Sequence, residues 1–527
     1  MISYTGSTEV LTVKKTALKI SALTAAAYLS LSGCNYSYFG LPGLFYEAVE
    51  ATEELMEDAL YYDSEYGDED VDIWTWPDSE DHEDETFDWD TYDHINPDAE
   101  PGTVTVMVYM NGSTLETEGG VATADISEMI RAGYSEDVNV VIQTMGTKYW
   151  SEKLGIASNR SQTYVVGEDG LELVRDDLGQ LDCTKADTLY EFIQYCAEEY
   201  PASRNILILW DHGGGPAYGF GWDEFQDDWE NLSIDEMRKA LKNCDVHFDF
   251  IGMDCCIMSC LEVTYALRDY CDYMILSEDF ESCLGWYYTG WLEALYENTS
   301  ISTYDLGKIL IDDMIRKNEN DHLNGDRSIL ALVDENQMEK LWDAWIDFAY
   351  ANEDTLLATN FSQELEETGK GVGLSARRSH SDLKMDDLFD LFFDDGDLWD
   401  TINDLTDDDV YMSDYCITDL MGLANIIDSN TSEKLIKALD KAILYVGATS
   451  DNLSLTGISV TLPYDDEDLY YELANVLDRS GYDDKYIKWL EQFCDADSYS
   501  DFDWSGWGED FWNEWGTYED SDIWGEW

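Results

Sequence analysis

Six histidines occur in the chain, and His212 has the surroundings of a working imidazole. It sits in Trp210-Asp211-His212-Gly213-Gly214-Gly215, where a histidine leaves an apolar run and three glycines let a second backbone or a substrate come close. A matching end is Gly252-Met253-Asp254-Cys255-Cys256-Ile257-Met258. Here cysteine lies between a predicted strand and a helix predicted to start at Met258, and a helix N-terminus favours a thiolate and offers free N–H groups. A thiolate to attack a carbonyl, an imidazole to protonate the leaving amine and N–H donors for the oxyanion are what acyl transfer from a peptide requires. His82 and His94 fall in an acidic stretch, and His247, His322 and His380 lack glycine-rich neighbours. Either residue alone is an ordinary structural feature, since buried cysteines and strand-end histidines are common. Their joint occurrence at two strand ends is not.

The elements that must bring them together are legible from apolar runs. Thr103 to Met110, Val138 to Gln143, Asn205 to Trp210, Phe248 to Met253 and Tyr273 to Leu276 read as buried strands. Helices are expected at 124–132, 187–200, 233–241 and 258–268, and a hairpin at 162–176 turning at Gly167 to Gly170. Ser233 with Glu236 three residues on has capping-box spacing. Strands alternating with helices predict an α/β fold with a mostly parallel sheet covered on both faces, whose chemistry collects at the carboxyl ends of the strands. Adjacent parallel strands would set His212 beside Cys256. Further on, 328–333 reads as a strand, 300–317 and 335–350 as helices, 385–447 as largely helical, and Thr456 to Leu462 as a late strand stopped by Pro463.

These segments resemble the clostripain family of cysteine peptidases. The resemblance rests on the His-Gly strand end, the Asp-Xaa-Cys end followed by Ile257-Met258, the stretch from Leu261-Glu262-Val263 through Ser277-Glu278 to Gly285-Trp286, and Gly457 to Pro463. It spans residues 103 to 495. The resemblance implies a caspase-like fold with a mainly helical C-terminal extension and a His/Cys dyad cleaving after Arg or Lys. Carried over by motif, His212 is the general acid/base and Cys256 the nucleophile. The amides of Gly213 and Cys256 form the oxyanion hole, and Asp254 helps bind the basic side chain. Cys255 stands where a small apolar residue is more usual, so two adjacent thiols compete; the Cys-Ile-Met order favours Cys256. Some relatives are cut after a basic residue between His and Cys, and here Arg238, Lys239 and Lys242 all fall on a predicted helix, which argues against self-cleavage. A binding or adhesion protein on the same fold, and a transpeptidase or amidase using the same dyad, are the competing readings.

Composition bounds the partners. With 29 Lys+Arg against 114 Asp+Glu the net charge is −85, which repels nucleic acid phosphates; protein or peptide substrates are expected. No Lys or Arg lies between Lys19 and Arg131 or after Lys488. Lys14, Lys15 and Lys19 precede a short apolar run that closes on Leu31-Ser32-Gly33-Cys34. This is a signal-peptide layout ending in a lipobox, with Cys34 as the lipidated first mature residue and a bacterial membrane as its anchor. A transmembrane helix is the competing reading, but the run is shorter than the ~20 residues needed to span. The organisation expected is a signal peptide (1–33), an acidic flexible tether (34–100), a catalytic core (101–350), the C-terminal part of the peptidase unit (351–495) and an acidic Trp-rich tail (496–527). No disulfide and no metal site is assigned. Calcium is the one cofactor raised, by the resemblance and by Asp394-Asp395-Gly396-Asp397 and Asp407-Asp408-Asp409, neither of which has EF-hand spacing.

Overall fold

Apolar residues at every second position of the first long strand point alternately to two different cores, and this period of two organises the whole molecule. The computed structural model describes residues 74–75, 99–226, 230–282, 284–320, 328–361, 416–427, 429–450 and 454–494. Its strands are β1 (Trp74–Thr75), β2 (Val104–Asn111), β3 (Val138–Met145), β4 (Gln162–Gly167), β5 (Gly170–Arg175), β6 (Arg204–Trp210), β7 (Phe248–Asp254), β8 (Cys271–Leu276), β9 (Ile329–Asp334), β10 (Ile417–Asp419), β11 (Ile443–Ala448) and β12 (Ser459–Thr461). Ten of them form one sheet in the order β1-β11-β9-β8-β7-β6-β2-β3-β4-β5. The five central strands, β8-β7-β6-β2-β3, run parallel. Both flanks are antiparallel, the β4–β5 hairpin on one side and β9, β11 and β1 on the other.

The helices are α1 (Ser113–Gly119), α2 (Val121–Arg131), α3 (Ala186–Glu199), α4 (Gly215–Tyr218), α5 (Ile234–Cys244), α6 (Leu261–Leu267), α7 (Tyr288–Glu297), α8 (Thr303–Asn320), α9 (Met338–Ala351), α10 (Glu353–Ala358), α11 (Leu420–Ile426), α12 (Ser432–Ala442), α13 (Glu467–Ser480) and α14 (Asp484–Leu490). Met107, Leu207, Leu209, Ile251 and Met253 face a core shared with α3, α5, α6, α9, α13 and α14. Val106, Val108, Ile206, Ile208 and Phe250 face a second core shared with α2, α7 and α8. The sheet is thus covered on both faces, as its near-continuous apolar strands require.

Four local features differ from those expectations. Residues 443–448, within the span read as largely helical, form β11 of the main sheet, with α11 and α12 before it; residues 385–415 lie outside those described. The late strand is shortened to Ser459–Thr461 and pairs with β10, not with the main sheet. Ser233 occupies the N-cap of α5, but its hydroxyl donates to Asp235 Oδ1 at 2.7 Å in place of a helix amide. Of the span read as a tether, Trp74–Thr75 pairs with β11 as an edge strand.

Candidate active site

From β2 the chain crosses to β3 on one side of the sheet; β6, β7 and β8 then build out on the other. The order therefore reverses between β2 and β6, and the carboxyl ends of strands at such a point leave a crevice between diverging connections. Register fixes what stands there. Trp210 pairs with Asp254 across β6 and β7, so His212 and Cys256 are each two residues past a matched pair. The contact is close: a Cβ built on Gly213 would lie 1.9 Å from the Cys256 carbonyl oxygen and 3.1 Å from its nitrogen. Only glycine fits between the two strand ends. The turn after His212 bonds through Gly214 N–H to Gly219 O (2.8 Å) and Gly221 N–H to His212 O (2.9 Å). Those bonds bracket Gly213 and leave its own N–H out of the turn ladder.

His212 is held from three sides. Its ring stacks on Trp222, with centroids 4.2 Å apart and planes at 7°, and its Nε2 meets Thr114 Oγ1 at 3.2 Å. The preceding Asp211 accepts from Ser113 Oγ at 2.5 Å and from the Trp222 amide at 3.0 Å, which ties β6, α1 and the glycine-rich turn together. Burial pushes the imidazole down to about 4, so its resting form at neutral pH is uncharged. Burial also pushes Asp211 up to about 7, against the hydrogen bonds it accepts.

Cys256 is half-buried, whereas Cys255 is 2% exposed and packed in the core beneath it. The Cys256 Sγ accepts from the Glu281 amide at 3.3 Å. The expectation that Cys256 sits at a helix N-terminus is corrected: α6 starts at Leu261 with Cys260 at its N-cap, five residues beyond Ile257's predecessor. The chain cannot enter a helix sooner because Ile257 is held at φ +49°, a strained conformation for a β-branched side chain. Its amide is pinned by Asp279 O at 3.0 Å, and Ser259 N–H by Ser277 O at 2.8 Å. From below, Ser259 Oγ donates to Gly457 O at 2.6 Å and Gly457 N–H to Glu278 Oε2 at 2.6 Å. The late Gly457 to Pro463 segment thereby buttresses the cysteine loop. Burial, and then the Glu281 carboxylate, push the thiol up to about 12. No helix end offsets this, so thiol and imidazole are both neutral at rest.

Asp254 is 4% exposed. Its Oδ2 accepts from the Tyr288 hydroxyl at 2.8 Å and the Trp286 amide at 3.4 Å. It belongs to a buried acidic group with Asp125, whose Oδ2 accepts from Trp210 Nε1 at 2.8 Å, and with Glu128, which is joined to Lys317 Nζ at 2.9 Å. Gly285, at φ +57°, closes over the two aspartates; a Cβ there would lie 3.2 Å from Asp254 Oδ1 and 3.3 Å from Asp125 Oδ2. Burial raises Asp254 above the usual carboxylate range.

Sequence reasoning missed Ser113, Thr114, Trp222 and Glu281. The first pair was findable, because Asn111-Gly112-Ser113-Thr114 follows a buried strand at the same sheet edge. Trp222 and Glu281 lie in irregular loops, where no periodicity marks a position. Among the described residues no group of three or more His, Cys, Asp or Glu has the arrangement to hold a metal ion, and the nine described cysteines are free thiols. The acidic runs at 394–397 and 407–409, and Cys34, lie outside those residues. No described helix is long and apolar enough to cross a membrane.

Comparison with known proteins gives the class of this chain, a cysteine peptidase. A sequence model of the clostripain family matches residues 108–512, most of the chain. The protein belongs to the clostripain family of cysteine peptidases. Among solved structures it is similar to iotapain, a secreted C11 cysteine protease from Bacteroides thetaiotaomicron (13% identity, TM-score 0.50, covering 75% of this chain and 99% of that one). It is also similar to an inactive zymogen C11 protease from Parabacteroides distasonis (16%, TM-score 0.45, 75% and 98%). At such identities the likeness concerns the fold. No curated protein matches the sequence.

Proposed function

We propose that the protein is a lipid-anchored, extracytoplasmic endopeptidase that cleaves after Arg or Lys, with Cys256 as nucleophile and His212 as its proton partner. The observation that carries the reading is the contact of the Gly213 and Cys256 backbones at the ends of two register-matched parallel strands. With Nε2 engaged by Thr114, Nδ1 is the nitrogen left to take the thiol proton. The thiolate attacks the scissile carbonyl, and the Gly213 and Cys256 amides receive the oxyanion. The imidazolium then gives its proton to the leaving amine, and water, deprotonated by the same imidazole, releases the acyl group.

Asp254 supplies the attraction for a basic side chain, through the buried carboxylate group around Gly285. The acidic surface speeds encounter with basic substrates, an effect that weakens as salt rises. Residues 1–33 act as the signal peptide, Cys34 carries the lipid, and 34–100 hold the peptidase unit off the membrane.

Fluorogenic peptides differing only at the residue before the scissile bond test this on purified wild type and Asp254→Asn. Arg and Lys peptides should be cleaved at least ~10-fold faster than Leu or Asp peptides, with Asp254→Asn losing that margin. A preference for acidic or apolar residues would sink the specificity and leave the dyad standing. Palmitate labelling of Cys34→Ala in cells tests the anchor, which is wrong if labelling is unchanged.

A further inference from the structure

Glu281 joins two parts of the site that are otherwise separate. Its main-chain N–H donates to Cys256 Sγ at 3.3 Å, and its side-chain Oε1 accepts from Trp286 Nε1 at 3.1 Å, next to the Trp286 amide that bonds Asp254. It is half-buried, while Asp125 and Asp254 behind it are 1% and 4% exposed. Of these three residues, Glu281 is the most exposed and the one whose backbone touches the thiol.

The group is built for a cation and is short of one. Asp125 and Glu128 come from α2, Asp254 from β7 and Glu281 from the loop after β8. The cation they share is Lys317 of α8, whose Nζ is taken up by Glu128 Oε1 and by the carbonyls of Leu284 (3.0 Å) and Trp286 (3.3 Å). Asp125 Oδ1 is fully buried and has no hydrogen-bond partner. A buried carboxylate oxygen left bare is costly; burial first, then mutual repulsion, raises Glu281, and burial raises Asp125 despite Lys317. The Cys256 thiol faces the same field, with Asp279 on the same loop adding to it. On the other side, Asp211 and His212 precede the Gly213 backbone that contacts Cys256. Every negative charge formed here opposes the next, the thiolate included.

We propose that thiol activation in this enzyme is coupled to the substrate's own charge: a guanidinium or ammonium seated against Glu281 and Asp254 adds one positive charge to this crowded acidic group and favours the Cys256 thiolate. The thiol proton passes to His212, and no other reactant is needed. Glu281 seats the cation and makes no bond to the reacting carbonyl, so it is a substrate-binding residue. A peptide bearing a neutral side chain then meets an unactivated nucleophile, so selectivity is exerted on reactivity as well as on binding. The inference rests on the basic specificity proposed above.

The test measures alkylation of Cys256 by iodoacetamide across pH 5–9, with and without ethylguanidine, in the full chain and in Glu281→Gln and Glu281→Asp. Ethylguanidine should speed wild-type alkylation about tenfold and move its pH profile down by about one unit, the effect of one charge a few ångströms away. The acceleration should be largely lost in Glu281→Gln and partly kept in Glu281→Asp, with circular dichroism melts showing all three folded. The same ethylguanidine should compete with Arg peptides. Competition without acceleration, or equal acceleration in Glu281→Gln, overturns the coupling and leaves the specificity intact. If ethylguanidine neither competes nor accelerates, and Arg peptides are not preferred, the basic specificity itself is wrong.

Discussion

The α-carbon of Gly213 faces the carbonyl oxygen of Cys256 so closely that a methyl group there would sit 1.9 Å from it. Backbone cannot yield as the far end of a side chain can, so Gly213→Ala must push the two strand ends apart. The expected result is a loss of about 100-fold or more in kcat/KM, the usual effect of an ångström's displacement in a catalytic group. The central strands should persist by circular dichroism. Wild-type turnover in a folded Gly213→Ala variant would show that the pair is not the catalytic one.

Two adjacent thiols are told apart by burial. Cys255 is packed at 2% exposure and burial pushes its thiol far up, whereas Cys256 is half-buried beside the Glu281 amide. Cys256→Ala and His212→Ala should reduce peptidase activity to background with melting temperatures near wild type. Cys255→Ala should retain activity and lose about 1 kcal/mol of stability, the cost of removing a small buried group. The opposite pattern would move the assignment by one residue.

The His212 imidazole is held near 4 by burial under Trp222. A histidine held below its ordinary value of about 6.5 is neutral, and able to accept the thiol proton, at any pH above that point. Carbon-proton NMR shifts of the ring should therefore titrate well below pH 6. Trp222→Ala opens the ring to water and should raise that midpoint toward 6.5, while Thr114→Val should lower kcat about tenfold with little change in KM, because it frees the ring's orientation without changing its burial. An unshifted midpoint in Trp222→Ala would remove stacking as the cause.

Stability should rise as the solution is made mildly acidic. Burial pushes Asp211 and Glu262 up to about 7 in the folded chain, against about 4 when unfolded. Their contribution is complete below the unfolded value and is lost as pH climbs from about 4 to 7. His212 acts in the opposite sense, its contribution being present above about 6.5 and lost toward 4, but it is one group against two. Falling net charge also eases self-repulsion. The melting temperature at pH 5 should exceed that at pH 8 by several degrees, and an Asp211→Asn variant should narrow the gap. A higher melting temperature at pH 8 would contradict the placement of these carboxylates.

Much of this protein was decided by local sequence. Runs such as Asn205 to Trp210 are too apolar to lie anywhere but in a sheet covered on both faces, and the glycines after His212 announce a close approach before any partner is known. The strand ends that carry His212 and Cys256 were readable because strand ends are marked by a change of composition. Other features depended on tertiary structure. The helix after Cys256 was expected at Met258, yet it waits until Leu261, since Asp279 and Ser277 of another loop hold the intervening amides and fix Ile257 at positive φ. Residues 443–448, Ile-Leu-Tyr-Val-Gly-Ala, carry β-branched and aromatic side chains that suit a strand, and β9 supplied the edge that they pair with. Trp222 and Glu281 carry no marker in their own segments; they matter because the chain reverses its strand order between β2 and β6 and brings distant loops to one crevice. Burial and charge set the protonation of the thiol and imidazole, and both are sums over neighbours that only the folded chain supplies.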